Sequence, residues 1–500
     1  ENAKNIGRAR RPYAMFSDNL IMLQKEYARQ LLTTMNPYTK MRPVDDPHLA
    51  LLEICNESGF FLHPKVTDTL VEPYRSQLQD KWTAWLRKRY PGQGDLEAAW
   101  GDALGKDEVL GQGNVRLPRL RQADPPVRQR DGVEFLATIE RQYYATMRDY
   151  LHQIGLKIPI TAVVSSDVPA ELSAVAQELD FMSENHYSDH PAFGGPDWEG
   201  KYFYKNRNVL RDGSRHQFAP FTAQLRWDGK PVVIREWAYV WPDQYRASSV
   251  PEAAAYARMQ DFDGMIMFGY KTGPVGDRLV EFGYQVDPAV WDLFGMGALM
   301  FLRGDVSSAS QISLLEYSPE RLFRGDIDQT DLVRLAYATR LGCISAGGKV
   351  PVGDVTIWPV REEPNDAESL LRQTSTDTGA KALQDGVYTS TNGQIIRDVN
   401  RGRITVATAR TCMIAGELAS ENMKAGVMDV RSSSPIGAVA AQSLDGQPLS
   451  DSSHFMVKMV SVAENTGQKL TATAPGAPSA FVLDQPGSAP VLTFGAPSNE

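Results

Sequence analysis

The sequence predicts an α/β fold with a parallel sheet in its first 300 residues, followed by an all-β, sandwich-like domain. Three observations predict this. Short apolar runs alternate with helix-like segments as far as about Arg303. From about Gly379, short strand-like runs are broken by Asn-Gly, Asp-Gly and Gly-Gln turns. Composition shifts between the two regions: eight of nine Trp and six of seven His precede residue 292, whereas the last 150 residues are rich in Ser, Thr, Val, Ala and Gly. At about 150 residues per domain, 500 residues accommodate several units. The expected division is 1–303, a connecting segment of mixed structure at 304–378, and 379–500.

Taken in order, Leu20, Leu23, Tyr27, Leu31 and Met35 repeat at helical spacing; Asp18 caps the helix and Asn36-Pro37 ends it. The strand candidates are Ala50 to Cys55, Ile158 to Val164, Leu179 to Ser183, Pro231 to Arg235 and Gly264 to Gly269. The helices between them include Phe135 to Ile154 and Val250 to Gln260, the latter opened by Ser248-Ser249 and Pro251-Glu252. Trp82, Trp85 and Trp100 have helix-packing spacing and read as core. Farther on, Gln329 to Thr339 looks helical and Glu362 to Thr378 looks like polar linker. Strands are expected at Arg403–Ala409, Cys412–Ala415, Ala438–Ser443 and His454–Ala463, and the Pro-rich tail from Ala474 reads as loop or edge strand.

Composition excludes several classes. The charge sum is 52 minus 61, or −9, with no block of Lys or Arg, so no nucleic-acid partner is expected. The longest apolar stretch, Ala289 to Leu302, has 14 residues and contains Asp292, short of the roughly 20 needed to span a bilayer, so no membrane partner is expected. Cys55, Cys343 and Cys412 lack metal-type spacing. No signal peptide is visible after Glu1, which points to a processed or incomplete chain, and secretion or a periplasmic location would suit few cysteines.

Two carboxylates each close an apolar strand. Glu57 follows Leu51-Leu52-Glu53-Ile54-Cys55-Asn56, and Glu236 follows Pro231-Val232-Val233-Ile234-Arg235. In a parallel α/β barrel all such strand ends open on one face, where both side chains can meet. A pair about 5 Å apart cleaves a glycosidic bond with retention, one acid protonating the leaving oxygen and one carboxylate attacking the anomeric carbon.

At these residues the chain resembles the clan A glycoside hydrolases. Ile54-Cys55-Asn56-Glu57 is similar to the Asn-Glu ending their fourth strand, and Ile234-Arg235-Glu236-Trp237 to the Glu ending their seventh. The stretch Lys81 to Tyr90 with Asp95 to Gly101 resembles the inserted helices of the β-galactosidases of that clan. The resemblance covers Asp18 to Arg303 and implies a TIM (β/α)8-type barrel of which strands four to eight are visible. It implies Glu57 as acid/base, Glu236 as nucleophile, Asn56 on the sugar 2-hydroxyl, and Tyr187 or His186 beside the nucleophile. Family members place a Trp at the end of strand eight; here the run reads Met267-Phe268-Gly269-Tyr270, making Tyr270 or Phe268 the substitute sugar floor.

Among the aromatics, Trp237 and Trp241 adjoin the proposed nucleophile and could stack on a sugar face. Glu53 and Glu184 read as structural. His186 and His190 sit four apart without a third ligand, so no metal is expected, and no cofactor is called for. The leading expectation is a retaining hydrolase of a β-galactoside or related oligo- or polysaccharide. The alternative is a carbohydrate-binding barrel that does not hydrolyse. A homo-oligomer is compatible with either.

Overall fold

The computed structural model describes residues 11–120, 125–164, 167–193, 202–270, 278–324, 331–360, 383, 386–418, 422–472 and 481–488. The first half is built on five parallel strands. After the helices α1 (Tyr13–Phe16) and α2 (Asp18–Thr33) comes β1 (Leu52–Asn56). An insertion follows, α3 (Tyr74–Arg89) and α4 (Gln93–Trp100), before the long α5 (Pro126–Gln153). Then come β2 (Ile160–Val163), α6 (Pro169–Glu178) and β3 (Met182–Ser188), with the short strands β4 (Ala192–Phe193) and β5 (Tyr202–Tyr204). The half ends with α7 (Phe218–Ala223), β6 (Val232–Tyr239), α8 (Ser249–Met259), β7 (Gly264–Met267) and α9 (Pro288–Arg303). The sheet order is β1-β2-β3-β6-β7, and each neighbouring pair is parallel.

Each expected strand has its counterpart. The structure carries β3 on to Ser188 and β6 on to Tyr239, beyond the predicted ends at Ser183 and Arg235. The added residues are largely polar, so the apolar run stops where the hydrogen-bonded ladder does not. The closed eight-stranded barrel is not seen: among the described residues the sheet has five strands, with β1 and β7 as its edges. Helix α2 also departs in detail. Its inner side is formed by Leu20, Ile21, Ala28 and Leu32, while Leu23 and Tyr27 of the apolar stripe are 58% and 67% exposed.

The insertion forms an aromatic layer against α5. Trp82 is fully buried, its ring centroid 5.4 Å from Trp85, 6.3 Å from Trp100 and 4.9 Å from Phe135. Its indole N–H donates to the Arg116 carbonyl at 3.1 Å, satisfying the one polar group such a buried ring carries.

Residues 304–360 hold a second parallel sheet that periodicity did not expose. It comprises β8 (Gln311–Tyr317), β9 (Arg340–Ser345) and β10 (Asp354–Val360) in the order β10-β8-β9. The predicted helix near Gln329 is a 3₁₀ turn over Asp331–Tyr337, and the linker expected at Glu362–Thr378 lies outside the described residues. Beyond it, β11 (Val387–Thr389), β12 (Ile395–Asp398), β13 (Arg403–Ala407) and β14 (Thr411–Glu417) form a meander. The small hairpin of β15 (Met423–Ala425) and β16 (Met428–Val430) leads to β17 (Ile436–Ser443) and β18 (Phe455–Val460). These make one six-stranded antiparallel sheet, β11-β12-β13-β14-β17-β18. It packs on α8 and α9, so helices cover the face where a second sheet of a sandwich was expected. Finally β19 (Lys469–Ala472) pairs with β20 (Phe481–Gln485), which returns to pair with β5. One hydrophobic core runs from Tyr13 through the parallel sheet and its helices to Ala440 of β17.

Candidate active site

The site is built at the end of β1 and along the carboxyl halves of β3 and β6. Asn56 pairs with Val163, Val163 with Ser183, and Ser183 with Val233, so the ends of β1 and β2 lie level with the second residues of β3 and β6, which run on past them. Register irregularities fall between Glu53 and Asn56, between Glu184 and Asn185, and between Ile234 and Trp237. Bulges re-aim side chains next to functional centres, and all three lie beside the carboxylates in question.

The sheet is curled at this end. Strands β1 and β6 are three places apart, about 14 Å in a flat sheet at about 4.8 Å per step. Yet the Arg235 Nε lies 2.5 Å from the Glu53 carboxylate, bridging the concave face. The same guanidinium contacts Glu236 through Nη1. Burial pushes the Glu53 carboxyl above its ordinary range, against the opposing pull of Arg235.

Asn185 and Tyr187, alternate residues of β3, reach into this concavity. The Asn185 amide nitrogen donates to Asn56 Oδ1 at 3.1 Å and to Glu57 Oε1 at 3.0 Å. Its backbone is in register with Glu236. The Tyr187 hydroxyl donates to Glu236 Oε2 at 2.5 Å. Burial raises the Tyr187 phenol pKa, with the charges of Tyr284 and Glu57 adding to it, so the hydroxyl keeps its proton and remains a donor. Asn56, Glu57, Tyr187 and Glu236 are thereby brought together.

Glu57 sits just past β1 with φ +52°, in the left-handed region that costs a non-glycine residue about 1–3 kcal/mol. Surrounding contacts hold it there. Its N–H donates to the Val163 carbonyl at 2.8 Å. Arg11 Nη1 donates to the carbonyls of Asn56 and Glu57, both at 3.1 Å, and lies 3.5 Å from Glu57 Oε2. His63 Nε2 lies 3.1 Å from the Glu57 carbonyl. The side chains of Glu57 and Glu236 are 25% and 10% exposed, so both remain reachable by solvent.

The other sequence-predicted residues lie elsewhere. His186 and Trp237 are register partners whose rings lie against Phe218 of α7. Burial lowers the His186 pKa, and its Nε2 meets the His216 carbonyl at 3.2 Å. Trp241 is buried with Tyr204, Leu279 and Leu483, its indole N–H donating to Gln468 at 3.1 Å. Tyr270 is 59% exposed, its ring 5.0 Å from that of Trp291. Phe268 is nearer the carboxylates, edge-on to Tyr187 at 6.1 Å. His190 packs on Tyr187 and Phe282, away from His186. Among the described residues no group of three His, Cys, Asp or Glu is placed to hold a metal.

Sequence reasoning missed Arg11, Asn185 and Arg235. The alternation of β3 was the available signal for Asn185, which shares a face with Tyr187. Nothing local marked Arg11, which comes from a turn at the far end of α1.

A β-galactosidase family model, glycoside hydrolase 42, matches residues 4–233. Among solved structures, a β-galactosidase from the psychrophilic Marinomonas ef1 is 13% identical with a TM-score of 0.46, covering 76% of this chain and 60% of that one. A catalytic mutant of Gan42B, a GH42 β-galactosidase from G. stearothermophilus, is also 13% identical with a TM-score of 0.46, covering 95% and 67%. An exo-β-agarase is 15% identical with a TM-score of 0.39, covering 58% and 39%. The chain thus spans less than two thirds of the length of the Marinomonas β-galactosidase and of the agarase. The family match covers a little under half of the chain, takes in Asn56-Glu57 and ends at the start of β6; over those residues the chain is similar to the β-galactosidases of that glycoside hydrolase family.

Proposed function

We propose that the protein is a retaining β-glycosidase acting on a β-galactoside or related saccharide, with Glu236 as nucleophile and Glu57 as acid/base. The observation carrying this reading is the convergence over β3: Asn185 donates to Glu57 and Tyr187 to Glu236 from one face of one strand. In the first step a Glu236 oxygen forms a bond to the anomeric carbon while the bond to the leaving oxygen breaks, and Glu57 gives that oxygen a proton. In the second step Glu57 takes a proton from water, whose oxygen attacks the same carbon and releases Glu236. Tyr187 and Arg235 orient the Glu236 carboxylate and offset its charge, and Asn56 meets the sugar 2-hydroxyl, where a bond that strengthens in the transition state speeds reaction.

The curled sheet with two open edges supports reading its strands as five of eight in a (β/α)8 barrel, three more closing it between β7 and β1. We place the catalytic unit at 1–303, the connecting segment at 304–378 and the accessory β unit at 379–500. Phe268, edge-on to Tyr187, supports reading it rather than the exposed Tyr270 as the sugar floor.

The test is turnover of an aryl β-galactoside. Glu57→Ala and Glu236→Ala each abolish it, and azide restores the Glu236 variant with an inverted glycosyl azide as product. Normal turnover by Glu236→Ala contradicts the assignment. Oligosaccharide binding by calorimetry without cleavage would favour the non-hydrolytic carbohydrate-binding reading.

A further inference from the structure

Behind β1, on the side away from the cleft, two carboxyl groups lie fully buried, Glu140 of α5 and Glu171 in the first turn of α6. Both close on the same point beside Gly59, and two carboxyls sharing one buried site favour a state in which one of them keeps a proton. Their surroundings are Cys55 of β1 and Tyr144 of α5, with Tyr143 against Cys55. Both carboxyls face the turn that follows Glu57. Glu140 Oε1 accepts the Phe60 N–H at 2.7 Å. Gly59 lies so close that a Cβ there would collide with the Glu171 carboxylate and come within 3.3 Å of Glu140 Oε1. Phe60 itself is fully buried and Phe61 nearly so.

The turn is therefore gripped from two sides. Arg11 and His63 hold the carbonyls of Asn56 and Glu57, and the carboxyl pair holds Gly59 and Phe60 from the core. Glu57, between the two grips, has the left-handed backbone that its own preferences disfavour. We infer that Glu140 and Glu171 are positioning residues for Glu57, a proton-sharing carboxyl pair that fixes the turn through the Phe60 amide and the close approach of Gly59. The inference rests on the glycosidase reading of Glu57. Burial pushes Glu140 up to about 8, so above that pH the shared proton leaves, two buried negative charges repel, and the grip on the turn loosens.

The experiment has an arm that needs no activity. Amide hydrogen exchange over residues 56–62 of the intact protein is followed from about pH 6 to about pH 9, corrected for intrinsic exchange. Wild type loses protection as the pH passes about 8, while Glu140→Gln, which keeps an acceptor oxygen but cannot ionise, does not. Identical protection profiles for the two proteins overturn the proposal. In the kinetic arm, with an aryl β-galactoside, Glu140→Gln keeps kcat within about twofold at pH 6 and extends the alkaline limb of the profile. Glu140→Leu, lacking the acceptor, loses at least about tenfold in kcat with KM within about twofold. Unchanged kcat in a folded Glu140→Leu protein also overturns it. Should that variant not fold, Gly59→Ala, which displaces the Glu171 carboxylate, must lower kcat in the same way or the proposal fails. A wild type without hydrolysis strikes the glycosidase reading alone, and the exchange arm still decides whether the pair anchors the turn.

Discussion

At the scale of single residues the site is an arrangement of charges bridged by two donors. Tyr187 gives Glu236 a hydrogen bond to a charged group, worth about 1.5–3 kcal/mol. Tyr187→Phe should therefore lower kcat on an aryl β-galactoside by about 10- to 100-fold, with circular dichroism and melting temperature little changed. Arg235 joins Glu53 to Glu236. Arg235→Met should cost more than Tyr187→Phe, because it leaves two carboxylates facing each other without their cation, and Glu53→Gln should restore part of the loss; no restoration would separate Glu53 from the site. The carboxylates themselves were legible because each ends an apolar run. The donors were not, because an Asn or an Arg beside such a Glu has no local signature until strand register fixes which way it points.

At the scale of elements, two helical layers decide how firmly the site is held. Trp82 is wrapped by Trp85, Trp100 and Phe135, so Trp82→Ala should cost about 3–5 kcal/mol in chemical denaturation, whereas the exposed Tyr27→Ala should cost under about 1 kcal/mol. The three tryptophans were readable as core from their spacing alone. The stripe of α2 was misleading, since helical spacing identifies a helix but not which face another element covers. The Glu140–Glu171 pair gives α5 and α6 a pH dependence of defined sign. Folded, Glu140 keeps its proton to about pH 8, against an ordinary 4.5. Its contribution to stability is fully present below about pH 4.5 and lost as the pH rises through about 8. The melting temperature of Glu140→Gln relative to wild type should thus climb across that interval, and a constant difference would refute the shared proton.

At the scale of the whole molecule, the carboxy-terminal sheet is joined to the parallel sheet by buried charge. Arg397 of β12 and Glu252 of α8, both fully buried, form an ion pair, and Tyr239 of β6 donates to the same carboxylate. Arg397 also donates to the carbonyls of Val209 at 2.7 Å and Asp212 at 2.9 Å. Removing one partner leaves a buried charge uncompensated, so Arg397→Ala should cost about 3–5 kcal/mol in equilibrium unfolding, and Arg397→Met with Glu252→Gln should recover much of it. Truncation before Gly379 should give insoluble protein for the same reason, and a soluble truncate of unchanged stability would contradict this. The sequence distinguished the parallel and all-β regions by their period and turn residues. It did not show that one core joins them, nor the parallel sheet at 311–360, because long-range pairing leaves no trace in local pattern.

The most direct measurement is covalent trapping with a 2-deoxy-2-fluoro-β-galactoside carrying a dinitrophenyl leaving group, followed by peptide mapping. One sugar per chain is expected, esterified to Glu236 and lost in Glu236→Gln. A label on any other carboxylate, or no label under conditions where the aryl β-galactoside is hydrolysed, would contradict it.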